Sequence, residues 1–183
     1  QDTAWLGAKF SYGRPMFRLQ MVIVYSDGSR NVLGSDESWT WKEGPVTATN
    51  IYLGESYDAR REIIGWSRSE TPCPDWAPAT PASEGIPPRL LPQLMEPIRI
   101  KQELKAVNFW KSPSGNWIFD FGVNVAGMPL LNVQQPAGTE LTIRMAEEMD
   151  VAGNPDYSTL GWVHHGKIFA NIYTCKGGEK EQW

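Results

Sequence analysis

The sequence predicts an all-β protein, an antiparallel β-sandwich of jelly-roll type. Short apolar or alternating runs follow one another closely, each closed by Gly, Pro, Asn or Asp. No segment sustains helical periodicity, and nothing repeats at a fixed period. A length of 183 residues suits one domain with a core and falls short of two comfortable ones. Residues 1–183 are therefore read as a single sandwich domain.

The elements follow in order. Met16 to Tyr25 alternates at first, with Phe17, Leu19, Met21 and Ile23 on one side, and then becomes apolar throughout. That is the pattern of a strand passing from an exposed edge into an interior. Asp27-Gly28 marks a tight turn, and Asn31 to Gly34 reads as the returning strand. Ser38 to Trp41 is a short extended piece closed by Gly44-Pro45, and Ile51 to Leu53 has the composition of a strand end.

The stretch from Trp66 to Pro97 holds eight of the fourteen prolines, and its excursion proper spans residues 67–97. Proline fixes φ and removes a ladder donor, which excludes a central strand or a helix. Trp76, Ile86, Leu90 and Leu91 give this stretch something to bury, so an ordered excursion across the sandwich is expected.

Strands then resume at Ile98–Lys101 and Leu104–Trp110. The turn Ser112–Asn116 leads into Trp117–Phe121, and Met128–Val133 and Glu140–Met145 are joined by Pro136-Ala137-Gly138. In Glu140–Met145, Leu141, Ile143 and Met145 face one way while Thr142 and Arg144 face the other, as in a half-buried antiparallel strand. Val151–Gly161 reads as a loop, Lys167–Thr174 as the last strand, and Lys176–Glu179 as a turn.

Composition excludes several function classes. A net charge of -4 supplies no basic field for a phosphate backbone or an anionic bilayer, so neither nucleic acid nor a membrane is an expected partner. No apolar run reaches the ~20 residues of a membrane span. There is no charged-then-apolar leader, so the N-terminus is read as a processed boundary. Cys73 and Cys175 are compatible with one disulfide but do not form a framework. His164 and His165 are adjacent, and neighbours on a strand point to opposite faces, which disfavours a shared metal ion. Nine tryptophans suit either a thick core or sugar-stacking platforms.

The densest chemistry lies in Asn50–Trp66, NIYLGESYDARREIIGW, where Glu55, Tyr57, Asp58, Arg60, Arg61 and Glu62 crowd together. Charges packed between aromatics imply a hydrogen-bonded, partly buried network. The plainer alternative is that Arg60 and Glu62 simply pair as a loop brace, and that Asp58 braces Arg60 or caps a turn. GES-YDARRE-x-x-GW resembles the hallmark segment of the N-terminal domain of bacterial α-L-rhamnosidases, glycoside hydrolase family 78.

Further segments resemble that family in the same order. They are Val24–Ser29 with Asp36–Trp39, Glu96–Arg99, Asp120–Gly127, Leu141–Glu148 and Tyr173–Trp183. Val123 stands where the family usually has glutamine. The resemblance implies a galactose-binding-like sandwich, one further strand beyond Trp183, and a bacterial parent enzyme placed in the periplasm or outside the cell. Family members hydrolyse terminal α-L-rhamnose with inversion, using carboxylates in an α-helical barrel much further along the chain. The implied partners are the rest of the parent enzyme with that barrel, and L-rhamnose-containing glycans.

Two site readings remain. Inverting hydrolysis needs two carboxyl groups roughly 6.5–9.5 Å apart. Glu147, Glu148 and Asp150 do not suit this, because adjacent strand residues diverge. The resemblance instead implies a calcium–rhamnose site on Asp58, Ala59, Asn124 and the carbonyl of Pro129, with Tyr57, Trp66, Trp76 or Trp162 walling the sugar's methyl face. Calcium takes 6–8 oxygen ligands of mixed kind. Ala59 departs from the polar amide of binding members and weakens such a site. The other reading is a scaffold without a ligand, with Asp58 bracing Arg60 and the tryptophans packed as core.

Overall fold

A computed structural model describes residues 16–50, 53–70, 72, 74–82, 90–158 and 169–183. Cys73, Ile86, Trp162, His164 and His165, with residues 159–161 of the expected loop, 51–52 of the expected strand end and 167–168 of the expected last strand, lie outside these residues. The described chain is almost entirely strand and loop, as its short punctuated runs require. In order, the strands are β1 (Gln20–Val24), β2 (Arg30–Gly34), β3 (Thr40–Trp41), β4 (Val46–Asn50), β5 (Gly54–Asp58), β6 (Ala77–Pro78) and β7 (Asn108–Lys111). There follow β8 (Trp117–Asp120), β9 (Asn132–Val133), β10 (Glu140–Ile143), β11 (Glu148–Met149), β12 (Pro155–Asp156), β13 (Asn171–Thr174) and β14 (Glu181–Gln182). A 3-10 turn, Ala59–Arg61, follows β5.

The chain divides into two compact units, Gln1–Glu43 with Ile63–Leu94, and Gly44–Glu62 with Met95–Trp183. In the first unit β1 and β2 form the hairpin announced by Asp27-Gly28, in register from Gln20↔Gly34 to Val24↔Arg30. Gly28 takes φ 86°, and the Asp27 carboxylate accepts the Ser29 amide at 2.9 Å. The proline-rich excursion contributes β6, two residues paired with β3 through Thr40↔Pro78 and Trp41↔Ala77. Pro78 is tolerated because this two-stranded ladder leaves it at an edge.

In the second unit the largest sheet has the order β10-β13-β5-β4. Its outer pairs are antiparallel, but β13 and β5 run parallel, with Tyr173 opposite Tyr57. Local turn chemistry could not announce this pairing, since Asn171 and Glu55 are 116 residues apart. At its mouth the Glu55 amide donates to Asn171 Oδ1 at 3.0 Å, and the Ala170 amide donates to the Leu53 carbonyl at 3.1 Å. Gly54 lies between them at φ 92°, so close that a Cβ would sit 2.1 Å from the Ala170 carbonyl oxygen.

Tyr173, Ala59 and Cys175 are fully buried, with Tyr57, Leu131, Val133, Leu141 and Trp183 packed around them. Leu141, packed against this core, and Ile143 are half-buried while Glu140 and Thr142 are exposed, matching the predicted alternation.

Three expectations are corrected. Ile98–Lys101 forms no strand, and both isoleucines are exposed, because no partner strand pairs with the run. Met128–Val133 shortens to β9, which pairs with β14, since Pro129 cannot donate to a ladder. Residues expected to be loop after Val151 include β12, folded back on β11 by Asp150, whose Oδ1 accepts the amides of Ala152 and Asn154. Asp150 is therefore occupied as a turn cap.

Gly54→Ala adds a methyl where the backbone already excludes one, and should cost roughly 2–6 kcal/mol. Thermal circular dichroism is expected to show a large fall in Tm or loss of the cooperative transition. An unchanged melt would mean that the β5–β13 junction is looser than this geometry.

Candidate functional site

β5 carries the charged stretch into the largest sheet. Tyr57 stacks on Tyr173 with ring centroids 5.8 Å apart at 14°, and Trp183 packs against both, 5.8 Å from Tyr57 and 5.2 Å from Tyr173. Two carboxylates meet the polar ends of this aromatic group. The Tyr57 hydroxyl donates to Glu62 Oε1 at 3.1 Å, and Lys176 Nζ donates to Glu62 Oε2 at 2.6 Å. The Tyr173 hydroxyl donates to Glu181 Oε2 at 2.8 Å.

Glu181 is only 3% exposed. Beyond Tyr173 it accepts the Lys176 amide at 2.9 Å and the Gly177 amide at 3.1 Å. Gly177 and Gly178 take φ of 81° and 90°, the left-handed values that turn the chain so these amides face the carboxylate. A Cβ at Gly177 would sit 2.6 Å from the Ala137 amide nitrogen.

The electrostatics follow from these partners. Burial pushes the Glu181 carboxyl up, but the Lys176 amide, the Tyr173 hydroxyl, the Gly177 amide and the Lys176 charge outweigh it and hold it below its ordinary value. Burial, and then the Glu62 charge, push the Tyr57 phenol up to about 12. Tyr173 is raised by burial and by its bond to Glu181. Cys175 is a buried free thiol, raised by burial and then by the Glu181 charge, and is therefore chemically quiet. Hydrogen bonding to Glu62 raises Lys176.

Asp58 ends β5 and caps the 3-10 turn, its Oδ1 accepting the Arg60 amide at 3.1 Å. Arg60 then reaches back, donating from Nε to Oδ1 and from a terminal nitrogen to Oδ2, each at 2.8 Å. This fork holds the Asp58 carboxyl below its ordinary value. Of the two roles left open for Asp58, the structure has it both brace Arg60 and cap the turn. Glu62, by contrast, pairs with Lys176.

The proposed calcium ligands can be tested against this geometry. Both Asp58 oxygens are engaged by a guanidinium, which would repel a cation. Ala59 is buried, and its carbonyl already accepts the Glu62 amide at 3.2 Å. Asn124 and Pro129 lie in the loop between β8 and β9. As arranged, the oxygens of Asp58 and Ala59 are already committed to partners within the chain. Trp66 is exposed in a turn of the other unit, its amide donating to the Ile63 carbonyl at 3.3 Å. Tyr57 faces the core through Tyr173 and Trp183.

The residues that sequence reasoning did not single out are Tyr173, Lys176 and Glu181. Their signal was the pair of glycines in K-G-G-x-E-x-W, which turns two amides toward one acid.

The chain matches two families. One is described as the α-L-rhamnosidase N-terminal domain, over residues 3–102, and the other as the bacterial α-L-rhamnosidase concanavalin-like domain, over residues 110–183. An α-L-rhamnosidase of Formosa agariphila is 31% identical over 174 residues, and one of Streptomyces avermitilis is 30% identical over 173, each alignment covering 94% of this chain. The chain spans 18% and 16% of the length of these two relatives. Among solved structures, the α-L-rhamnosidase of Dictyoglumus thermophilum has TM-score 0.78 and 33% identity, over 90% of this chain and 18% of that one. The Streptomyces avermitilis α-L-rhamnosidase complexed with L-rhamnose has TM-score 0.80 and 29% identity, over 90% of this chain and 16% of that one.

The two hydroxyl–carboxylate pairs predict a stability profile. Folded Glu181 holds its proton more weakly than at its ordinary 4.5, so its contribution is complete above that value and is lost as pH falls below it. Folded Tyr57 holds its proton more tightly, so its contribution is present below 10.0 and is lost as pH rises toward about 12. Denaturant titrations should find Glu181→Gln destabilised by about 1–3 kcal/mol near neutrality, with the difference from wild type shrinking in acid. The difference between wild type and Tyr57→Phe should shrink in alkali. A Glu181→Gln difference that is flat across acid pH would show that the native state does not depend on the ionised carboxylate.

Proposed function

Since the chain belongs to the bacterial α-L-rhamnosidase N-terminal domain family, we propose that it is a non-catalytic accessory region of such an enzyme. In this reading residues 1–183 serve together as a scaffold, and hydrolysis of terminal α-L-rhamnose from glycans is carried out by parts of the longer protein outside them. The partner is the remainder of the parent enzyme, with its catalytic barrel, and L-rhamnose-containing glycans are substrates of that parent. The observation that carries the scaffold reading is the Arg60–Asp58 fork, in which both carboxylate oxygens are already taken. A calcium–rhamnose site at Asp58, Ala59, Asn124 and Pro129 would require Arg60 to let go.

Calorimetric titration of L-rhamnose into the chain, with calcium and again after chelation, separates the two readings. A sample showing a cooperative melt is expected to give no heat of binding in either condition. It is also expected to release no product from an aryl α-L-rhamnoside. Calcium-dependent heat that disappears in Asp58→Ala would overturn the scaffold reading and make this region a sugar-binding module.

A further inference from the structure

The β7–β8 hairpin presents its more apolar face to solvent. Its register pairs Asn108↔Asp120, Phe109↔Phe119, Trp110↔Ile118 and Lys111↔Trp117. Alternation puts Phe109, Trp117 and Phe119 on one face with Lys111. The opposite face holds Asn108, Trp110, Ile118 and Asp120, and its Trp110 and Ile118 are half-buried. The three apolar side chains of the first face run from 59% exposed at Phe119 to 64% at Phe109. The rings of Phe109 and Phe119 lie 6.3 Å apart at 22°, with Trp117 6.2 Å from Phe109. Such a stripe, on the order of several hundred Å², is the size at which a patch marks an interaction surface.

We propose that this face is a docking surface for polypeptide of the parent enzyme outside residues 1–183, a proposal that rests on the accessory-region reading. Two observations select that occupant. First, the face is aromatic with one charge, the composition of a protein interface core, and it lacks the carboxylate and amide groups that hold sugar hydroxyls. Second, relatives that keep this backbone at TM-scores of 0.78 and 0.80 are chains of which it makes up only 18% and 16%, so a large body of further polypeptide accompanies it there. A two-stranded ribbon is also marginal until one of its faces is packed.

The test is thiol labelling of a Phe119→Cys variant of the longer parent protein under native conditions, corrected for the unsubstituted parent. Lys180→Cys serves as an exposed control, and Trp117→Cys as a second position should the first variant misfold. Labelling at Phe119→Cys is expected to be about 10-fold or more slower than the control, independent of protein concentration and of added L-rhamnose. Labelling as fast as the control would overturn the proposal. So would protection that grows with protein concentration, which indicates a second copy, or protection that requires rhamnose, which indicates a sugar platform. The same preparations are assayed for aryl α-L-rhamnoside hydrolysis. A parent without that activity removes the accessory reading, whereas an active parent with fast labelling removes the docking surface alone.

Discussion

Glu181 is an ionised group within an aromatic core, and the second unit depends on the hydrogen bonds that make this tolerable. A carboxylate taken out of water is costly unless its lone pairs are met. Here Tyr173 and the amides of Lys176 and Gly177 meet them. Tyr173 belongs to β13, the strand that pairs with β10 on one side and β5 on the other. Anchoring its hydroxyl therefore fixes the ring on which Tyr57 and Trp183 stack. Apolar contacts alone would leave these rings free to slide, and a directional bond at the end of one of them holds a single arrangement.

Lys176 joins this anchor to the charged stretch after β5. Its backbone amide serves Glu181 and its ammonium serves Glu62, which also takes the Tyr57 hydroxyl. Asp58 is closed off in a different way, by the fork from Arg60. The densest run of charge in the chain is thus largely consumed by internal partners, an arrangement suited to holding a strand end rather than to recruiting a cation. This is what an accessory part of a longer enzyme requires, since its charges need only position its own backbone.

The hairpin β7–β8 shows the complementary constraint. Its apolar pattern specifies a buried face, yet that face is the exposed one, and the half-buried face is the weaker of the two. The proposed docking partner would reconcile binary pattern with observed burial over this ladder. Relatives in which the same backbone is a small fraction of the chain have ample polypeptide to supply one.

The sequence by itself determined the all-β class, the hairpin turned at Asp27-Gly28, the alternation of β10 and the family. Each of these rests on residues close along the chain, where turn chemistry and side-chain period act without outside help. It also marked Asn50–Trp66 as a hydrogen-bonded network, because charges crowded between aromatics must find partners. Only the tertiary structure decided which partners those are. The parallel pairing of β5 with β13 and the salt bridge from Lys176 to Glu62 depend on bringing distant segments together, and no local pattern encodes that closure. Asp58 differs, since its partner Arg60 was two residues away in plain view. What the sequence left open was which way that carboxylate turned, and in the folded chain it turns toward Arg60.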